Sequence, residues 1–203
     1  MSRVAAIVLA AGTASRYRAA DPSVPTKLVA SIDGVPMVRR VVEAALESRA
    51  RPVVVVTGHA GPDVRAALEG LSAGFVANPD YATGMASSLA AGLSALPTEV
   101  DGGLVLLGDM PGVTAPLLDR LIAAFEADPE GADAVVPVHG GRRGNPALLG
   151  RSLFAPAMAL SGDEGARRLL IGGRVFEVPI VDDGVLLDID DPAALCLTAP
   201  PIG

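Results

Sequence analysis

The chain has 203 residues, half of them hydrophobic but only 3% aromatic, and a formal charge of −7. That length suits one domain with a sizeable core built from Ala, Val and Leu. The acidic balance argues against a protein that coats nucleic acid or an anionic membrane surface, although a local cluster of Arg and Lys can still hold an anionic substrate.

In chain order, short continuous apolar runs bounded by Gly, Pro or Asp occur at 4–9 (VAAIVL), 52–57 (PVVVVT), 102–108 (GGLVLLG) and 133–138 (DAVVPV), with a weaker fifth at 73–78 (AGFVAN). Such runs suit strands buried on both faces, as in a parallel sheet. Between them lie helical patterns at 36–48, 61–71, 85–96 and 114–127. The first places Val38, Val41, Val42 and Leu46 on one face, with Pro36 as a first-turn residue; in the last, Thr114 is the expected N-cap, with Pro116 close behind.

The alternation predicts an α/β protein: a single three-layer α/β/α domain with a mostly parallel sheet. Beyond Val138 the pattern loosens into a small α+β portion. It should hold two short helical pieces and paired strands near 174–178 and 185–189. The single cysteine, Cys196, excludes an intrachain disulfide and a multi-cysteine metal site, and fits a reducing cytoplasm. Arg3 followed by an apolar run is only superficially like a secretory leader, because the run continues directly into the α/β pattern. No apolar stretch reaches the about 20 residues that a membrane span needs.

In open α/β sheets ligands bind beyond the carboxyl ends of the strands. The loops after Leu9, Asn78, Leu107 and Val138 are therefore where chemistry is expected. The first, LAAGTASR at 9–16, has small residues (Ala10, Ala11, Gly12) that let backbone amides approach an anion, then Arg16 and, farther on, Lys27. It reads equally as an ordinary strand-to-helix turn with surface arginines. It is neither the G-K-[ST] phosphate loop nor the G-x-G-x-x-G dinucleotide fingerprint. In NPDYATGMASSLAAGL (78–93), Gly84 frees a turn, and Ser87 or Ser88 offers a hydroxyl and an amide at a helix start, although serines there also serve as simple caps.

LLGDMPGV (106–113) ends a buried run with Asp109, and Pro111 bars further pairing. An acid there can hold Mg²⁺ between phosphates, since that ion takes one or two carboxylates plus phosphate oxygens and water. In DIDDPAAL (188–195), Asp188 and Asp190 share one face of an extended segment, and N-capping by Asp190 or Asp191 is the competing role. His59 and His139 are not spaced as a metal pair and read as surface or loop residues.

These motifs, in this order, resemble those of the MobA-like NTP transferase family, nucleotidyltransferases of the GT-A-like type, and within it the molybdenum-cofactor branch. The branch typically opens L-A-A-G-x-S-x-R-M-G-x-x-K. Here Ser15 adjoins Arg16, Tyr17-Arg18 stands in place of the Met-Gly, and a longer loop with Pro22 and Pro25 delays Lys27. GGRRGNPALLG at 140–150 resembles the branch's G-x-x-G-H-P, with Asn145 in place of the histidine, and SGDEGARRLL at 161–170 resembles G-D-x-G-A-R-x-L-L.

The resemblance implies transfer of CMP from CTP to molybdopterin with release of pyrophosphate, the LAAG opening implying CTP and an LAGG opening GTP. Leu9, Ala10, Ala11, Gly12, Arg16, Lys27, Asn78, Gly84, Ser87, Ser88 and Asp109 are the expected nucleotide site, with Arg16, Lys27 and Asp109 carrying catalysis. Asp109 and Asp190 are the expected ligands of Mg²⁺ (Mn²⁺ as the alternative), with Asp188 in reserve. Arg143, Gly144, Asn145, Pro146, Gly165 and Arg167 are expected to bind the acceptor, with Arg142 and Arg168 as neighbouring cations. Residues 1–138 would then form the nucleotide-binding part and 139–203 the acceptor-binding and metal-completing part.

A molybdoenzyme or its chaperone is the expected protein partner. The alternatives are a guanylyltransferase of the same branch, a sugar- or alcohol-phosphate nucleotidyltransferase, and a carrier of the cofactor without turnover.

Overall fold

The computed structural model of the protein describes residues 2–14, 17, 19, 24–128 and 131–189. Its frame is a sheet of β1 (Val4–Ala10), β4 (Val53–Thr57), β5 (Gly74–Ala77), β6 (Gly102–Leu107), β7 (Ala134–His139), β9 (Ala147–Gly150) and β10 (Val175–Pro179). The strands lie in the order β10-β7-β9-β6-β1-β4-β5, with β8 (Arg142–Arg143) folded back on β7 as a short hairpin. β2 (Ser31–Ile32) and β3 (Val35–Pro36) form a separate antiparallel ribbon.

β1 and β4 run parallel and buried throughout their centres because both faces are covered. The period-two alternation of β1 divides its side chains between two cores. Ala6, Val8 and Ala10 join one, with helices α1 (Met37–Glu47), α2 (Gly61–Ala67) and α4 (Ala115–Ala127). Ala5 and Ile7 join the other, with α3 (Met85–Ser94) and α5 (Phe154–Met158). Gly92 lets α3 lie close on the sheet: a Cβ there would overlap Ile7 Cγ2. Among the described residues no helix is long and apolar enough to cross a membrane.

The expected parallel frame and its helices are present, and three details differ from the sequence reading. β9 is antiparallel and wedged between β6 and β7, pairing with both; its four residues are too few to announce a strand. The segment at 185–189 forms no strand. It contains the end of a 3₁₀ turn (Asp183–Leu186), while β10 pairs in parallel with β7 instead. Thr114 occupies the N-cap of α4 with extended backbone, but its side chain makes no capping hydrogen bond.

The order of strands reverses at β1, with β4 on one side and β6 on the other. Registers Leu9↔Val56 and Leu9↔Leu107 bring three carboxyl ends level. The crevice at such a reversal is where these sheets take ligands.

Candidate active site

Two adjoining cavities open at this edge. The first, of 390 Å³, is lined by Leu9, Ala11, Gly12, Thr26, Lys27, Tyr81, Gly84, Met85, Ser88, Leu107, Asp109 and Asp163 among others. Ala10 instead faces the core and is fully buried. The turn carrying Asp109 is tied to the first loop by Gly108 N–H donating to Leu9 C=O at 3.0 Å.

Lys27 starts a 3₁₀ turn (Lys27–Val29) held on both sides of it: the buried Thr26 hydroxyl accepts from Leu28 N–H, and Leu28 is buried in the core. So fixed, Lys27 Nζ sits 2.7 Å from Asp109 Oδ2, the two side chains only 12% and 18% exposed. The lysine that opens this turn thus meets the acid that follows β6. Arg16 and Asp190 lie outside the described residues.

The opposite wall is the start of α3. Gly84 has φ 117°, and a Cβ on it would overlap the Gly162 carbonyl. That contact lets Ala86 N–H donate to Gly162 C=O at 3.0 Å, so one first-turn amide of α3 serves the 162–165 segment and is not offered to the cavity. Ser88 lines the first cavity. Ser87 lines a shallow groove behind it, together with Asn78. Asn78 is 4% exposed and reaches the cavity only through Ser88, to which its amide donates at 3.0 Å.

The second cavity, of 310 Å³, shares Leu9, Met85, Leu107 and Asp163 with the first and adds Met110, Asn145, Gly165, Arg167, Leu186 and Asp188. Asn145 is placed by its own N–H donating to Val185 C=O at 2.8 Å, and Gly144 by its N–H donating to Pro137 C=O at 2.8 Å; Pro146 leads directly into β9. Arg143 does not line either cavity. It is exposed on the β8 hairpin, and its Nε donates to Glu177 Oε1 of β10 at 2.7 Å, which turns it toward the sheet edge. Arg142 is exposed beside it, and Arg168 is paired with Glu164. Arg167 is therefore the cation from this part of the chain that lines the second cavity.

Ile189 N–H donates to the Asp109 C=O at 3.1 Å, and the Ile189 side chain is buried with Ile32 and Met37. That bond draws Asp188 and Ile189 alongside Asp109. Among the described residues no three His, Cys, Asp or Glu side chains cluster as a metal site by themselves. The two histidines have separate surroundings: His59 is tilted against Tyr81, and His139 Nδ1 lies 3.1 Å from Ile180 C=O.

Sequence reasoning missed Asp163, Tyr81 and Met85. Asp163 stands at the waist between the cavities, and the one signal for it was its place in the SGDEG segment.

Comparison with known proteins agrees with this fold. The molybdenum cofactor cytidylyltransferase of Escherichia coli K12 is 28% identical over 95% of this chain and 93% of its own length. The bifunctional protein GlmU of Aromatoleum aromaticum is 40% identical over 58% of this chain, which spans only 25% of that protein's length. A nucleotidyl transferase structure from Methanothermobacter (Mth528) superposes with TM-score 0.82 at 26% identity, covering 97% of this chain and 96% of the other. The model of the MobA-like NTP transferase domain matches residues 6–176, and the chain belongs to that family of nucleotidyltransferases.

Proposed function

We propose that the protein transfers CMP from CTP to the terminal phosphate of a molybdopterin-type acceptor and releases pyrophosphate. The observation that carries this reading is the Lys27–Asp109 pair, set at the carboxyl ends of β1 and β6 in a cavity that opens into a second one bearing Asn145 and Arg167. A triphosphate fits the first cavity and a phosphorylated acceptor the second. The likeness to the molybdenum cofactor cytidylyltransferase over nearly the whole chain supports the choice of acceptor.

In this reading an oxygen of the acceptor phosphate attacks the α-phosphorus of CTP in line. The bond from α-phosphorus to the bridging oxygen breaks, and that oxygen's electron pair leaves with pyrophosphate. The nucleophile is already anionic, so no general base is required, and positioning and electrostatics supply the rate. Lys27, joined by Arg16, offsets negative charge on the departing pyrophosphate. Ala11 and Gly12 bring backbone close to the triphosphate, Ser88 meets the base, and Arg167 and Asn145 hold the acceptor.

The residues present fit a divalent cation. Asp109 and the neighbouring Asp188 are hard carboxylate donors, with Asp190 the further donor expected from the sequence, and one or two carboxylates with phosphate oxygens suit Mg²⁺, or Mn²⁺ in its place. When bound, that cation would neutralise and orient the phosphates.

The test is a screen of the four ribonucleoside triphosphates with molybdopterin, with and without molybdate, reading pyrophosphate. CTP giving the fastest release supports the proposal; preference for GTP makes the protein a guanylyltransferase. Binding of molybdopterin with no pyrophosphate from any triphosphate makes it a carrier. A second reading, a sugar- or alcohol-phosphate acceptor, is favoured by Asn145, a neutral amide in the second cavity where the branch has histidine. Release with such acceptors and none with molybdopterin would establish it.

A further inference from the structure

The orientation of the Asn78 amide is fixed by the main chain. Asp80 N–H donates to Asn78 Oδ1 at 2.9 Å, and a backbone N–H can only donate, so the side-chain oxygen must face it. Nδ2 therefore faces the serines, donating to Ser87 Oγ at 2.9 Å and to Ser88 Oγ at 3.0 Å. Both amide hydrogens are used, and both serine oxygens act as acceptors. Ser87 passes its own hydrogen on to main-chain carbonyls, Gly84 C=O at 2.9 Å or Asp80 C=O at 3.0 Å. Ser88, only 6% exposed, makes no further hydrogen bond among the described residues and lines the first cavity. Its hydroxyl hydrogen is left for a ligand there.

We propose that Asn78 is a positioning residue that sets Ser88 as a hydrogen-bond donor toward the nucleobase, and that this polarity selects the base. A fixed donor suits bases whose pairing-edge ring nitrogen is an acceptor, N3 of cytosine or N1 of adenine. It opposes those that carry a hydrogen there, N3–H of uracil or N1–H of guanine. The inference rests on the first cavity being the nucleotide site, and it deepens that reading by naming what discriminates among bases.

The experiment measures binding of CTP, UTP, ATP and GTP, each with Mg²⁺ and without acceptor, to the full chain and to three variants. Asn78→Asp keeps an oxygen for Asp80 N–H but accepts from both serines, so Ser88 must present a lone pair to the cavity. CTP is expected to weaken relative to UTP by about tenfold or more, the scale of one mispaired buried hydrogen bond. Ser88→Ala is expected to erase most of the CTP-over-UTP preference, and adding Asn78→Asp to Ser88→Ala should not move the ratio further.

A purely structural role for Asn78 would weaken all four triphosphates together, with or without Ser88. A folded Asn78→Asp protein with the parental ratio overturns the proposal. If that variant does not fold, Ser88→Ala decides alone, and an unchanged ratio overturns it. Failure of the parent chain to bind any triphosphate sinks the nucleotide reading along with this one, whereas binding with unchanged ratios sinks only this one.

Discussion

Lys27 and Asp109 neutralise each other across the gap between the first loop and the turn after β6, Nζ to Oδ2 at 2.7 Å. Neither charge is well solvated, so deleting one removes a close counter-charge from the other in the cleft. Asp109→Ala should reduce pyrophosphate release by about a hundredfold or more, the scale of losing a charge-positioning group, in a protein that still folds but melts below the parent. Lys27→Met should act differently: Asp109, relieved of its cation, should bind Mn²⁺ more tightly in the absence of nucleotide, while affinity for the triphosphate falls. Titrating Mn²⁺ by its paramagnetic signal checks this, and unchanged Mn²⁺ affinity would show that the lysine does not compete for the carboxylate.

Gly84→Ala tests the clamp between α3 and the 162–165 segment. The new methyl would overlap Gly162, and φ of 117° is strained for any residue with a Cβ. The segment is expected to give way while the sheet stays intact, since the clash lies between a helix start and a surface turn. Faster amide exchange around 162–167 and weaker acceptor binding are the expected signs. Exchange as slow as in the parent would mean that Gly84 does not hold this segment.

Arg167 and Arg143 should separate cleanly in kinetics. Arg167 lines the second cavity, whereas Arg143 is spent on an exposed ion pair with Glu177, a contact worth about 0–1 kcal/mol. Arg167→Ala is expected to raise KM for the phosphorylated acceptor about tenfold or more, and Arg143→Ala by less than about threefold. Equal effects would show that the hairpin carrying Arg143 closes over the acceptor.

The contrast shows where a sequence stops being informative. The parallel strands were legible because strands buried on both faces must be continuously apolar, and β4 is four valines and a threonine. Asp109 was legible because a carboxylate directly after such a run has a defined place at the sheet's edge. β9 was not, since Ala147, Leu148, Leu149 and Gly150 are compatible with several local structures, and only pairing with β6 and β7 makes them a strand. Arg143 looked like a phosphate ligand because its partner, Glu177, is distant in sequence. Asn78 was legible as a polar group of the expected nucleotide site, but its hold on Ser88 depends on which way its amide faces, and that is decided by the Asp80 amide.

Acid should loosen the far edge of the sheet through Asp133. Its carboxylate accepts from Arg174 N–H at 3.0 Å and from Ser152 Oγ–H at 2.9 Å. Those bonds, the backbone one first, with the Arg174 charge beside them, hold its pKa below the ordinary aspartate value against a weaker opposing effect of desolvation. A carboxylate whose folded pKa is depressed stabilises the fold fully above its unfolded value, near about pH 4, and loses that contribution as pH falls through the folded pKa. Asp133→Asn should therefore melt below the parent at pH 7, with the gap narrowing steadily below about pH 4 as the parent's carboxylate takes up its proton. The contacts join the strand β7 begins to the start of β10 and the turn after β9, so exchange of amides in β10 should quicken over the same range. A melting gap that stays constant from pH 7 into the acid range would assign the loss to packing and not to the charge.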